Sequence, residues 1–132
     1  MSENITQHVE VAAEQGVLIL TLLDRELRDE RQCAAIRQEF LAAVQETNAK
    51  KIVADFRNVT FVASVGFRPL LSLRRLVHET GGRLLLCCLG EYVKDVFQAT
   101  QLLVSHKVAG APFEEQPDLV SAIAYLNRDA AP

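Results

Sequence analysis

The sequence lacks the features that would place it in several large classes of protein. Its 132 residues carry 14 lysines and arginines against 17 acidic residues, a net charge of −3. Because no basic excess is available to a phosphate backbone, we expect no nucleic-acid binding. No apolar run approaches the roughly 20 residues of a membrane span, and the N-terminus has no basic stretch followed by an apolar one. We therefore expect a soluble, cytoplasmic protein without membrane insertion.

Cysteine is scarce and odd in number, with three residues, Cys33, Cys87 and Cys88. An odd count argues against the disulfide framework of a small secreted domain. Cys87 and Cys88 lie in RLLLCCLG, a predicted strand in which alternate side chains point to opposite faces. A redox or metal pair is one interpretation. We favour two small buried apolar residues, because free cysteine is often buried and no His or Cys at metal-ligand spacing lies nearby.

Signatures of common catalytic sites are also missing. No serine–histidine–acid arrangement, phosphate-binding loop or metal motif is visible in the sequence. His8, His78 and His106 are scattered and share no motif with an acid or a nucleophile, so each is interpreted as a surface residue. We expect no catalytic residues, no cofactor and no metal.

What the chain does have is the composition of a folded protein, 49% hydrophobic and 23% charged. A chain of this length can bury one sizeable core, so we expect a single domain over residues 1–132. The hydrophobic pattern predicts two strands, then helix, strand, helix, strand, helix, a final strand and a helix. Strands that alternate with helices after an opening hairpin predict an α/β fold with a mixed sheet.

The predicted strands differ in how clearly they are marked. In the opening hairpin Gly16 supplies the turn, and the apolar residues 17–23 form the second strand. KKIVADF and RLLLCCL are apolar runs typical of buried strands. VSHKVAGAPF is ambiguous; part of it is a candidate strand, because Gly110 and Pro112 would break a helix.

Four stretches have helical periodicity. In the first, apolar residues recur every fourth position from Ile36 to Val44, which predicts an amphipathic helix of about four turns. Asp29 is its candidate cap, and the acidic group Asp24, Asp29 and Glu30 is interpreted as a solvated helix start. The other three helices are predicted in RPLLSLRRLVHET, EYVKDVFQATQLL and PDLVSAIAYLNR.

The segment FVASVGFRPLL leads from a strand end into the second of these helices. Pro69 lacks an N–H group, which is tolerated in a first turn, so the helix is predicted to begin near Gly66. Phe67 is interpreted as a core residue. If it were exposed, Phe67 and Arg68 would be of the residue types favoured at interface hot spots.

The stretch KIVADFRNVTFVASVGFRPLLSLRRLVHETGGRLLLCCL resembles the STAS domain family, the bacterial anti-sigma-factor antagonists and their relatives. The family segment has an aspartate on an apolar strand, an apolar pair, an Asp-Ser-Ser/Thr-Gly loop, a leucine-rich helix and a Gly-Gly pair. Asp55 stands at the strand aspartate, and Phe61 and Val62 stand at the apolar pair. Ser64 and Gly66 stand at the first serine and the glycine of the loop, and Gly81 and Gly82 stand at the Gly-Gly pair.

The resemblance implies a STAS-like mixed sheet with about four helices packed mainly on one side. It also implies a non-enzymatic protein-interaction module in bacterial signalling and transcription regulation. From the missing site chemistry we expect the chain to be monomeric or weakly dimeric. Its partner would be an anti-sigma-factor serine kinase or another regulatory protein. Two alternatives stay open, an accessory subunit of a lipid-transport ABC complex and a protein that binds an anion or small molecule. The partner-binding loop would comprise Ala63, Ser64, Val65, Gly66, Phe67 and Arg68.

The loop departs from the family pattern at two of its four positions. Family members carry the phosphate on the hydroxyl residue just before the loop glycine, and here that residue is Val65, which has the shape of threonine without its oxygen. Ala63 replaces the loop aspartate. We therefore expect no phosphorylation at the usual position. Ser64 is the other candidate phosphosite, because a helix start favours an added phosphate, but we favour its interpretation as an N-cap serine.

Overall fold

The computed structural model describes residues 3–5, 8–103 and 111–128. A 3₁₀ turn at Ser64–Gly66 leads directly into the second helix. The strands and helices are, in chain order, β1 (Glu3–Ile5), β2 (Val9–Glu14), β3 (Val17–Leu22), β4 (Glu26–Leu27), α1 (Glu30–Thr47), β5 (Lys51–Asp55), β6 (Phe61–Val62), α2 (Phe67–Glu79), β7 (Arg83–Cys87), α3 (Glu91–Ala99), β8 (Glu114–Gln116) and α4 (Leu119–Arg128).

The main sheet has six strands in the order β1-β2-β3-β5-β7-β8. The strands β1, β2 and β3 pair antiparallel, whereas β3, β5, β7 and β8 pair parallel, so the sheet is mixed as predicted. Gln15 and Gly16 connect β2 to β3 with φ values of 53° and 79°. Two central residues with positive φ characterise the turn that matches strand twist, which confirms the predicted hairpin.

The final strand lies slightly later than the ambiguous segment that was predicted to contain it. Residues 104–110 of that segment lie outside the described residues. Phe113 forms an isolated parallel bridge with Leu103, and the strand itself is Glu114–Gln116, paired with β7.

Side-chain alternation along the strands divides the core between the two faces of the sheet. The helices α1, α2 and α3 cover one face, and α4 covers the other, so the helices lie mainly on one side as expected. Buried on the first face are Leu18, Leu20, Ile52, Ala54, Ile36, Phe40, Leu70, Leu73, Val93 and Phe97. Buried on the second are Val17, Ile19, Val53, Leu85, Cys87, Ala122, Ile123 and Leu126.

Acidic residues at and before the start of α1 make specific hydrogen bonds. Asp29 is the N-cap, as predicted: it accepts a hydrogen bond from the Gln32 backbone at 2.9 Å, and the Gln32 side chain accepts from the Asp29 backbone at 3.2 Å. Asp24 lies 2.9 Å from Nδ1 of His8, and their side chains are only 21% and 19% exposed. The interpretation of His8 as a surface residue is therefore wrong, because strand pairing brings it beside an acidic residue distant in sequence.

Of the other two histidines, only His78 lies among the described residues. His78 is exposed near the end of α2, as interpreted from the sequence, and His106 lies outside the described residues. Within the part of the chain that the structure describes, none of the helices combines the length and hydrophobicity required to cross a bilayer.

Candidate functional site

The segment predicted to bind a partner lies between β6 and α2 and is fixed by backbone contacts. The strand β6 pairs in parallel with β4, so that Val62 lies opposite Leu27. The Ala63 N–H then donates to the Leu27 carbonyl at 2.8 Å, and the Gly66 N–H donates to the Ala63 carbonyl at 2.8 Å. The loop is therefore a tight 3₁₀ turn attached to β4, and its exposed side chains have a defined position.

Gly66 allows this close attachment. Its φ is −70°, an ordinary value, so the residue is not needed for backbone freedom. A Cβ at this position would lie 2.8 Å from Val62 Cγ1, 2.9 Å from Leu27 Cβ and 3.0 Å from the Leu27 carbonyl oxygen. Such distances are too short for carbon atoms, so only glycine fits without a shift of β4 or β6.

Phe67 anchors the loop from inside. Its ring is buried and meets the ring of Phe97 edge to face, with centroids 5.0 Å apart. Phe97 in turn contacts Phe56 and Phe113 in the same geometry. Edge-to-face pairs contribute about 0.5–1.5 kcal/mol beyond the apolar area that they bury. The interpretation of Phe67 as a core residue is confirmed, so its side chain positions the loop and is not offered to a partner.

Ser64 is exposed and is not a helix cap. The N-cap residues are Ala63 for the 3₁₀ turn and Gly66 for α2, and neither end has a side-chain capping hydrogen bond. The expectation of a capping serine is wrong because the 3₁₀ turn places Ser64 inside the first turn, beyond the capping position.

A stripe of exposed residues continues from the loop along α2. Ser64, Arg68, Leu71 and Arg75 are spaced by four, three and four positions, which places them on one side of the helix. Leu71 adds an apolar side chain to this stripe and is 41% exposed. Arg75 pairs with Glu79 at 3.4 Å, whereas Arg68 has no carboxylate partner among the described residues.

A stack of three side chains is built around Phe61, in the strand β6 that leads into the loop. The rings of Phe61 and Tyr92 are nearly parallel, with centroids 5.9 Å apart and an interplanar angle of 12°. The guanidinium carbon of Arg28 lies 5.1 Å from the centroid of the Phe61 ring. Tyr92 is 53% exposed, so the stack is accessible to a partner. We call Ala63, Ser64, Val65, Arg68, Leu71 and this stack the contact face.

The loop predicted from the sequence makes up only part of this candidate contact face. The predicted loop contributes the exposed Ser64 and Arg68 and the half-buried Ala63 and Val65, whereas the two remaining loop residues are buried. The stack was missed because its members come from three distant segments, which only the β4–β6 pairing and the position of α3 bring together. No local signal in the sequence indicates it.

The strand aspartate has a structural partner. Asp55 is fully buried at the end of β5, where it accepts hydrogen bonds from Arg57 through the backbone N–H at 2.9 Å and through Nε at 2.8 Å. The Arg57 Nη2 lies 2.6 Å from the same carboxylate. These hydrogen bonds raise the pKa of the Arg57 guanidinium above its ordinary value. Asp55 thus holds the chain at the point where it turns toward β6.

Comparison with known proteins agrees with the fold and identifies the family. A family model described as the STAS domain matches residues 8–111. The chain is 28% identical over 71 residues to a protein of Bordetella bronchiseptica named as the anti-sigma factor antagonist BtrV, a match that spans 54% of this chain and 61% of that protein. The matched part therefore covers less than two thirds of the length of this relative.

Solved structures show the same architecture. A STAS domain protein from Planctomyces limnophilus superposes with a TM-score of 0.74 at 21% identity, over 92% of this chain and 99% of that one. An anti-sigma factor antagonist from Mycobacterium paratuberculosis gives a TM-score of 0.73 at 21% identity, over 96% and 99%. At this identity the likeness establishes the fold alone. The family match, which covers more than half of the sequence, shows that the chain belongs to the STAS domain family.

Proposed function

We propose that this protein is a non-enzymatic module of bacterial regulatory signalling that binds another regulatory protein, with an anti-sigma-factor serine kinase as the leading candidate. The observation that carries the proposal is the contact face, which combines the exposed side chains of Arg68, Leu71 and Tyr92 with a loop whose backbone is tightly packed at Gly66. Arginine and tyrosine are enriched among residues that dominate binding energy. A rigid surface also loses little conformational entropy when it binds.

The positive charge of the contact face favours a partner with an acidic segment. Arg68 has no carboxylate partner within the described residues, whereas the guanidinium of Arg28 lies on the ring of Phe61 and already pairs with Glu26 at 2.8 Å, so Arg68 carries the argument. Arginine placed in this way pairs readily with a carboxylate through two parallel hydrogen bonds. The relative named as an anti-sigma factor antagonist gives the proposal its partner class.

Val65 stands where members of the family carry the phosphorylated residue, and this replacement bears on how binding is regulated. Val65 is half-buried against the core and has no oxygen to receive a phosphoryl group. We therefore propose that the protein stays permanently in the form that binds its partner. Phosphate on the neighbouring Ser64, which is exposed and has no capping role, would contradict this proposal, because it would show a switch displaced by one residue.

Partner identification followed by affinity measurement tests the proposal. The tagged protein captures partners from its native organism, and the recovered protein is then purified and titrated against variants. Arg68→Glu and Leu71→Glu should each weaken binding by about 2 kcal/mol or more, the size typical of hot-spot residues. Arg31→Glu on α1 and Val120→Glu on α4 are matched controls, exposed and outside the contact face, and should bind like wild type.

The outcomes separate the candidate functions. Recovery of a serine kinase or another regulator, with binding sensitive only to the contact-face variants, supports the proposal. Binding that tolerates both contact-face variants would contradict the proposed surface. Recovery of an ATPase and a permease would instead favour the accessory subunit of a transport complex.

A further inference from the structure

A second group of chemically reactive side chains lies at the carboxyl ends of two central strands. In the parallel pairing of β5 with β7, Asp55 is the register partner of Cys87. The thiol sulfurs of Cys87 and Cys88 and a carboxylate oxygen of Asp55 all lie within 4.8 Å of one another. Asp55 and Cys87 are buried, and Cys88 is half-buried.

The position of the Cys88 thiol depends on an unusual backbone conformation. Regular strand geometry would send adjacent side chains to opposite faces of the sheet, as expected from the sequence. Cys88 instead has a φ of 61°, which ends the strand and turns its sulfur toward Cys87 and Asp55. Non-glycine residues adopt this left-handed conformation at an energetic cost, and such residues are concentrated at functional sites.

We propose that Asp55, Cys87 and Cys88 form a binding site for a thiophilic divalent cation of the Zn²⁺ class. Zn²⁺ is bound in proteins by cysteine sulfur and by Asp or Glu oxygen, and three protein ligands leave one coordination position for water or another ligand. Binding releases the two thiol protons to solvent and forms two metal–sulfur bonds. The half-buried Cys88 leaves the open position a route to solvent.

Arg57 would compensate the net negative charge of the occupied site. A divalent cation with two thiolates and one carboxylate carries one net negative charge, which the neighbouring guanidinium compensates. Arg57 already donates to Asp55 through its backbone N–H and its side chain, at 2.9 and 2.8 Å. Partners of this kind orient a carboxylate ligand from outside the coordination sphere. The Arg57 side chain is 53% exposed, so it can adjust when a cation enters.

The proposal is independent of the proposed protein-binding function, because none of these residues belongs to the contact face. The environment of the third cysteine, Cys33, differs from that of the proposed site. Cys33 is buried at the start of α1 among apolar residues, and it belongs to no group of three metal-ligating side chains in the described part of the chain. Cys33 therefore serves as an internal control for nonspecific thiol binding.

Titration of the untagged, fully reduced protein with Co²⁺ tests the site. Co²⁺ reports thiolate ligands through charge-transfer bands and tetrahedral geometry through intense visible bands. We expect one Co²⁺ per chain with both spectral features, and displacement of Co²⁺ by added Zn²⁺. We also expect Zn²⁺ to raise the Tm of the wild-type protein, since a ligand that binds the folded state stabilises it.

Variants at two cysteines decide whether the assignment is correct. Cys88→Gly removes one sulfur ligand while glycine suits the positive φ, so this variant should fold and lose affinity for Co²⁺ by more than about tenfold. Cys33→Ala should keep wild-type spectra and stoichiometry. Absence of Co²⁺ binding to wild type, or unchanged binding to Cys88→Gly, would overturn the proposal.

Discussion

The backbone carbonyl of Leu27 lies 3.0 Å from where a Cβ on Gly66 would be, although 39 positions separate the two residues in the sequence. This approach joins β4 to the first turn of α2. It also explains why the loop has exposed side chains although its backbone at Gly66 packs closely against Leu27 and Val62.

Substitution of Gly66 should therefore damage the fold more than substitution of the adjacent serine. Gly66→Ala forces a methyl group against Leu27 and Val62 and should cost about 1–3 kcal/mol. Ser64→Ala removes no capping hydrogen bond and should change stability by less than about 0.5 kcal/mol. Chemical denaturation of both variants measures the difference. Gly90→Ala is the steric control, because no atom lies within 4 Å of the added methyl group, and equal losses at Gly66 and Gly90 would contradict the packing argument.

Restoring the missing hydroxyl should restore a switch. Val65→Thr nearly preserves side-chain volume, so the fold should persist and a cognate serine kinase should gain a target. A phosphate or a glutamate at this position places negative charge in the contact face, where its desolvation is costly, so Val65→Glu should bind the partner more weakly than wild type. Mass spectrometry and titration with the purified partner measure both effects. Tight binding by Val65→Glu would exclude this loop from the interface, and stoichiometric phosphate on wild-type Ser64 would show that the switch has moved by one residue.

The capping box of α1 should contribute measurably to stability. Asp29→Ala removes the acceptor for the Gln32 backbone N–H and should cost about 1 kcal/mol. Thermal or urea denaturation measures this loss. Arg31→Ala is a suitable control because Arg31 is exposed in the same turn, and a comparable loss there would attribute the effect to general helix propensity.

Stability should fall at alkaline pH partly because of Cys33. Burial, followed by the negative charges of Asp29 and Asp24, raises the pKa of the Cys33 thiol. Below the ordinary thiol pKa of about 8.5 the group is protonated in both states, and above it the unfolded chain ionises first, so stability decreases as pH rises. The loss of unfolding free energy between about pH 7 and pH 10 should be smaller in Cys33→Ala than in wild type. Identical losses in the two proteins would show that this thiol does not contribute.

Most of the secondary structure was predictable because it follows from periodicity. Ile36, Phe40 and Val44 define the buried side of α1, and continuous apolar runs mark β5 and β7. The strands β4 and β6 have two residues each, too few to show alternation, so their pairing was not predicted. That pairing arises from tertiary contacts, and it positions the loop.

The candidate site was predictable only where it is continuous in sequence. The loop around Gly66 was located by its resemblance to a family, but the stack of Arg28, Phe61 and Tyr92 depends on the spatial arrangement of three segments. The environment of Cys88 was missed for a different reason. Strand alternation holds only while φ stays in the extended region, and a single left-handed residue reverses the direction of its side chain.

The separation of α4 from the other helices also provides a way to attach the molecule to a sensor surface. Val120, which is 79% exposed, lies on α4, and α4 covers the face of the sheet opposite α2. A thiol introduced by Val120→Cys in a background that lacks the native cysteines would tether the protein through this far side. The loop and α2 would then face the solution, so association and dissociation rates could be recorded without the tether obstructing the approaching protein.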